Sequence, residues 1–107
     1  MTYGRIAENV VAAAQAKPDS AVCVLRRIFP LPDDDEFKAL VNSAERLIFV
    51  EESARAGGIG EHFAACEWVK PKVEIKAIED TMIPHGDLKY LMEYAGLDVE
   101  SIKNFIE

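Results

Sequence analysis

The sequence predicts an α/β domain, a three-layer α/β/α sandwich built on a mostly parallel sheet, and three observations predict it. Two apolar runs, Ala21-Val22-Cys23-Val24-Leu25 and Leu47-Ile48-Phe49-Val50, are rich in β-branched residues and lack polar alternation. That is the pattern of strands covered on both faces, which belong to parallel sheets. Stretches with helical spacing of apolar residues alternate with them. A chain of 107 residues, 50% of them hydrophobic, buries roughly 60 to 70% of its unfolded surface and so supports one core, not two.

Taken in order, the elements follow from local chemistry. Ile6, Val10, Ala13 and Ala14 recur at helical spacing from Ile6 to Gln15, with Ala7 and Val11 widening the stripe, so this helix is expected to be largely buried. Lys17-Pro18-Asp19-Ser20 ends it. The run Ala21 to Leu25 is the first fully covered strand. Pro30 and Pro32 bracket a turn, and Asp33 to Glu36 lead into Phe37, Leu40, Val41 and Ala44, a second amphipathic helix. Carboxylates in a first turn interact favourably with unsatisfied N–H groups, about 0.3 to 1 kcal/mol each. A helix start therefore accounts for the acidic run without a metal ion, and its spacing is not that of a Ca²⁺ loop.

Leu47 to Val50 forms the next strand, followed by Glu51-Glu52-Ser53, the loop Ala54 to Gly60 and a third helix from Glu61 to about Trp68. Val73 to Ile78 alternates strictly, as expected of an edge strand with one solvated face. A loop carrying Pro84, His85 and Gly86 leads to a helix capped by Asp87 and ended by Gly96, and Asp98 caps a last helix through Ile106.

Composition excludes several classes of function. Nineteen acidic against twelve basic residues, a formal charge of −7, oppose binding to nucleic acid or anionic membranes. No apolar run approaches the roughly 18 residues of a membrane span. Cys23 and Cys66 are expected as buried, reduced thiols, and together with the absence of a signal segment they point to a cytoplasmic protein.

A strand, a glycine-rich loop and a helix is where open α/β sheets place ligands, so Gly57-Gly58-Ile59-Gly60 invites a phosphate reading. The dinucleotide spacing fails, because Phe63 stands where a glycine is required, and no Gly-Lys-Ser/Thr follows. A tight turn needing positive φ or close backbone packing is the better expectation. His62, His85 and the two cysteines offer no zinc-ligand spacing, and Ser53 lacks a nucleophile-elbow frame. No catalytic centre assembles from these residues.

Thr2-Tyr3-Gly4-Arg5, Arg27 to Asp33, Val50-Glu51-Glu52 with Gly57-Gly58-Ile59-Gly60, and Ile83-Pro84-His85-Gly86 with Ala95-Gly96-Leu97-Asp98 occur in this order. The series resembles the C-terminal domain of the transketolase superfamily over nearly the whole chain, taken as one domain over residues 1–107. The His-Gly loop and Gly-Leu-Asp point to the branch that condenses pyruvate with glyceraldehyde 3-phosphate in isoprenoid precursor synthesis. Pro30-Leu31-Pro32-Asp33 departs from the family's Pro-Leu-Asp only in a turn. The family also has strand segments ahead of the position of Tyr3, so the resemblance implies a domain with its N-terminal strand or strands truncated, or a sheet completed by something else. An exposed sheet edge would then favour self-association.

By the same resemblance the domain is non-catalytic and inactive alone. It binds neither cofactor nor metal, and thiamine diphosphate and Mg²⁺ belong to preceding domains of the parent enzyme. Its expected partners are those domains or a second copy in a homodimer. Glu51, Gly57, Gly58, Gly60 and His85 are the expected contact residues, the glycines for close approach and the glutamate as an acceptor for backbone or arginine donors. A small α/β protein binding a phosphorylated ligand at Gly57 to Gly60, or a free-standing subunit of a split enzyme, is the alternative.

Overall fold

The computed structural model describes residues 1–79 and 86–107. Four parallel strands form one sheet: β1 (Thr2–Tyr3), β2 (Val24–Leu25), β3 (Leu47–Ala54) and β4 (Val73–Ile78), in the order β2-β1-β3-β4. Five helices flank it: α1 (Ala7–Ala14), α2 (Asp35–Asn42), α3 (Ile59–Ala64), α4 (Leu88–Ala95) and α5 (Val99–Ile106). Phe37 and Val41 of α2 and Ile59 and Phe63 of α3 pack with Leu47, Phe49 and Ile75 on one face. Ile6, Val10 and Ala13 of the first helical segment, Met92, Leu97 and Ile102 pack with Val50 on the other. Two cores on opposite faces of a parallel sheet make the three-layer sandwich.

Capping fixes three helix starts. The carboxylates of Asp34, Asp87 and Asp98 accept from the backbone N–H of Phe37, Tyr90 and Ser101 at 3.2, 2.8 and 3.3 Å, each satisfying a donor that has no partner within the helix. Gly96, at φ 74°, ends α4 in the left-handed conformation that glycine adopts without steric cost. Arg46 holds the far end of α5: its guanidinium donates to the carbonyls of Phe105 and Ile106 and pairs with Glu74 of β4.

β1, an inner strand of the sheet, has only two residues. Thr2 N–H donates to Cys23 O at 3.0 Å, Val50 N–H donates to Met1 O at 2.9 Å, and the Met1 amino group donates to Ile48 O at 2.9 Å. Burial holds that amino group below its ordinary pKa. Thr2 is fully buried between β2 and β3, and its hydroxyl has no hydrogen-bond partner among the described residues.

Several expectations are corrected. The run Ala21 to Leu25 is a strand only at Val24–Leu25, the two residues in register with Thr2 and Tyr3 of β1; Cys23 adds only its carbonyl, which accepts from Thr2 N–H. The third helix spans Ile59–Ala64, not Glu61 to Trp68, since its free N–H groups are satisfied two residues earlier than expected. The first helix is covered on one side only, with Val11 and Ala12 exposed. Cys23 and Cys66 are free but half-buried. β4 lies at the sheet edge as its alternation predicts, yet Glu74, Lys76 and Ile78 are half-covered, with Lys76 Nζ 5.5 Å from the Phe105 ring of α5.

Candidate functional site

The site begins with strand alternation. Leu47 and Phe49 point into the core shared with α2 and α3, so the next position on that face, Glu51, points inward as well. It is fully buried. A buried carboxylate needs donors, and Glu51 has four. Oε1 accepts from Tyr3 Oη at 3.1 Å, Ser53 Oγ at 2.6 Å and Ile59 N–H at 3.1 Å, while Oε2 accepts from Gly60 N–H in a short contact.

The backbone donors are available because of the sequence that follows. Gly58 occupies the N-cap position of α3 and has no side chain to cap with. Glu51 therefore supplies the missing acceptor from the neighbouring strand, where the negative charge also meets the positive end of the peptide dipoles. The glycines make room for it. A Cβ on Gly58 would lie 2.6 Å from Ala54 O and 2.8 Å from Glu51 Oε1, and one on Gly60 would lie 2.6 Å from Glu51 Oε2. Gly57 is needed for a different reason: its φ is 74°. The Glu61 carboxylate accepts from Gly57 N–H at 2.9 Å, a variant of the capping box. Between Val50 and Ala54 the register with β4 shifts, and this irregularity turns the chain out into the exposed segment 54–57.

Tyr3 is tuned by its surroundings. Burial, and then the negative charge of Glu51, push its phenol above the ordinary range, which keeps the hydroxyl a donor. Arg55 anchors the outer turn by donating to Ile75 O and to Glu79 Oε1. On the opposite face Arg5 pairs with Glu52 beside a cavity of about 80 Å³ lined by Ile78, Leu91 and Met92, well under the several hundred Å³ of ordinary ligand pockets.

Four of the five expected contact residues, Glu51, Gly57, Gly58 and Gly60, come together here. His85 lies outside the described residues. Tyr3 and Ser53 are members of the cluster that sequence reasoning missed. Alternation places Ser53 on the same face as Glu51, whereas Tyr3 is 48 residues away from Glu51 and gives no local signal. The arrangement does not suit a phosphate or the diphosphate of thiamine diphosphate: the N–H groups of Ile59 and Gly60 are already donated to a carboxylate, which would repel a second anion. Among the described residues no three His, Cys, Asp or Glu side chains converge as metal ligands, and no helix is long and apolar enough to cross a membrane.

A parallel sheet covered on both faces, with a strand-end glutamate capping the helix that follows a glycine turn, defines an α/β domain whose expected ligand position is filled by its own side chain. Comparison with known proteins gives the family. The model of the transketolase C-terminal domain matches residues 1–102, and the chain belongs to that family. It is similar to the 1-deoxy-D-xylulose-5-phosphate synthases of Cupriavidus necator, at 31% identity over 99% of the chain and 17% of the relative, and of Saccharophagus degradans, at 32% over 99% and 16%. That of Neisseria gonorrhoeae is 30% identical over 96% of the chain and 16% of the relative. The chain thus spans about a sixth of the length of the curated relatives it matches.

Proposed function

We propose that the chain serves as a non-catalytic C-terminal domain of a 1-deoxy-D-xylulose-5-phosphate synthase, packing against the remainder of the enzyme and supporting its dimer. The observation that carries this reading is the alignment of almost the whole chain with about a sixth of the length of those synthases, together with its match to the transketolase C-terminal domain. The internal use of Glu51 supports it, since the glycine turn is built to be rigid rather than to open for a ligand. Under this reading the parent enzyme is a cytoplasmic, homodimeric transferase of isoprenoid precursor synthesis, with thiamine diphosphate and Mg²⁺ held by its other domains. The exposed turn 54–57, held in place by Glu51 and Arg55, is the contact with those domains.

Titration calorimetry of the chain with thiamine diphosphate plus Mg²⁺, and with glyceraldehyde 3-phosphate, tests the non-catalytic part; the expected result is no binding, and saturable heat from either would sink it. Co-expression with a Cupriavidus necator synthase lacking its matching sixth tests the packing part. Co-purification and recovered synthase activity are expected, and failure of both with soluble partners would overturn it.

A further inference from the structure

The loop that follows β2 holds an aromatic side chain out of the domain. Ile28 and Leu31 pack against the core shared by α2 and α3, and Arg27 Nε donates to Pro30 O at 3.1 Å, closing the turn between them. Pro30 and Pro32 restrict the backbone on the far side. Phe29, between these anchors, is 77% exposed, the most exposed large apolar side chain among the described residues. A group whose backbone is already fixed loses little further freedom on binding, which is what an interface anchor requires.

The charge beside Phe29 sets it apart from the rest of the surface. Three of the five arginines are paired internally, Arg5 with Glu52, Arg46 with Glu74 and Arg55 with Glu79. Arg26 and Arg27 are exposed and have no carboxylate partner among the described residues, although acidic residues outnumber basic ones nineteen to twelve. The acidic run that follows opens α2, with Asp34 accepting from Phe37 N–H. Because the strands are parallel, this loop leaves the same edge of the sheet as the turn 54–57, and only β1 separates β2 from β3. The bases of the two loops therefore lie about 10 Å apart.

We infer that the Arg26 to Pro30 loop is a second docking element of the domain, with Phe29 as its anchor. Its occupant is an apolar pocket rimmed by carboxylates on the remaining part of the synthase. This contact rests on the reading of the chain as a domain of that enzyme, and it extends the surface formed by the turn 54–57. Phe29 supplies apolar area at the centre of the contact, and Arg26 and Arg27 supply charge at its rim, which fixes orientation. A phosphate would satisfy the arginines and leave Phe29 in water, whereas a protein pocket uses all three.

Capture of the Cupriavidus necator synthase lacking its matching sixth, co-expressed with the tagged full chain and washed at increasing salt, is the test. Phe29→Ala is expected to lower the captured yield at least ~10-fold. Arg26→Glu combined with Arg27→Glu is expected to lower it as far, and capture by the unaltered chain weakens as salt rises. Lys70→Glu combined with Lys72→Glu makes the same change of charge at exposed positions just before β4, on the opposite edge of the sheet, and leaves the yield unchanged. Circular dichroism confirms the fold of each variant; should one of the two loop variants unfold, the other decides. Undiminished capture by a folded loop variant overturns the docking role of this loop while the domain assignment stands. An equal loss in the lysine variant also overturns it, since net charge would then be the cause. An unaltered chain that captures none of the soluble partner overturns both.

Discussion

Gly60 donates its N–H to the Glu51 carboxylate, and the two residues are so close that a Cβ on Gly60 would stand 2.6 Å from Oε2. Neither residue can change without the other. Gly60→Ala must push the carboxylate aside and also crowd Phe49 and Ile75, at 3.3 and 3.2 Å from the added carbon, and is expected to cost about 2 kcal/mol. Glu51→Ala leaves buried N–H groups without an acceptor and is expected to cost about 3 kcal/mol. Gly57→Ala meets no atom within 4 Å and is strained only by its positive φ, for about 1 kcal/mol. Urea unfolding of the three variants checks the order; equal losses would contradict the cap.

Thr2→Val should stabilise the chain. The Thr2 hydroxyl is buried without a partner among the described residues, and valine keeps the shape while removing the unpaired group. The expected gain is about 1 kcal/mol, or about 4 °C in the thermal midpoint. A lower midpoint would mean that the hydroxyl has a partner.

Stability should fall on the acid side through two carboxylates. Burial raises Asp98, but hydrogen bonds from Ser101 outweigh it and leave the group below its ordinary 3.8. A hydrogen bond from Arg46 holds Glu74 below its ordinary 4.5. Both folded values are depressed, so the unfolded chain binds more protons in that window. Their contribution is complete above about pH 4.5 and is lost as pH falls through the folded values. Urea midpoints measured from pH 6 down to pH 3 should decline, and Asp98→Asn should flatten the decline.

Arg46→Ala should loosen the end of α5. The side chain is 40% exposed, so solvent screening keeps the loss in global stability small. The sharper signature is local: amide exchange in Lys103 to Ile106 should accelerate while that of β3 stays slow. Arg46→Lys should not restore protection, because an ammonium cannot reach both carbonyls and the carboxylate at once.

Much of the fold was legible because caps and periodicity are local. Asp34, Asp87 and Asp98 announce helix starts through side chains that act three residues on, and Gly96 announces a helix end through its left-handed backbone. The runs at Leu47 and Val73 reveal strands through their neighbours alone. The length of β2 was not legible, since Ala21 to Cys23 have strand-like chemistry, and where the strand starts is set by its register with Thr2 and Tyr3, which lie elsewhere in the chain. The start of α3 was hidden for a related reason: its cap comes from Glu51 on the preceding strand, not from the residue before the helix. Extending the alternation of Leu47 and Phe49 by one step would have turned Glu51 inward. Tyr3, its fourth donor, has no signal short of the tertiary structure.

The position of β1 has a consequence for how the chain reaches its native state. Both strands that flank it lie later in sequence, and the closure of Tyr3 onto Glu51 spans 48 residues. Helices α1 and α2 can form from neighbouring residues, but the middle of the sheet waits for distant segments to meet, and such non-local pairing slows folding. On a ribosome, Thr2 and Tyr3 emerge long before β3 does, and their apolar neighbours remain uncovered in the interval. The two-residue β1 is thus expected to be the last strand to lock, which makes it the place where a nascent chain is most open to a chaperone.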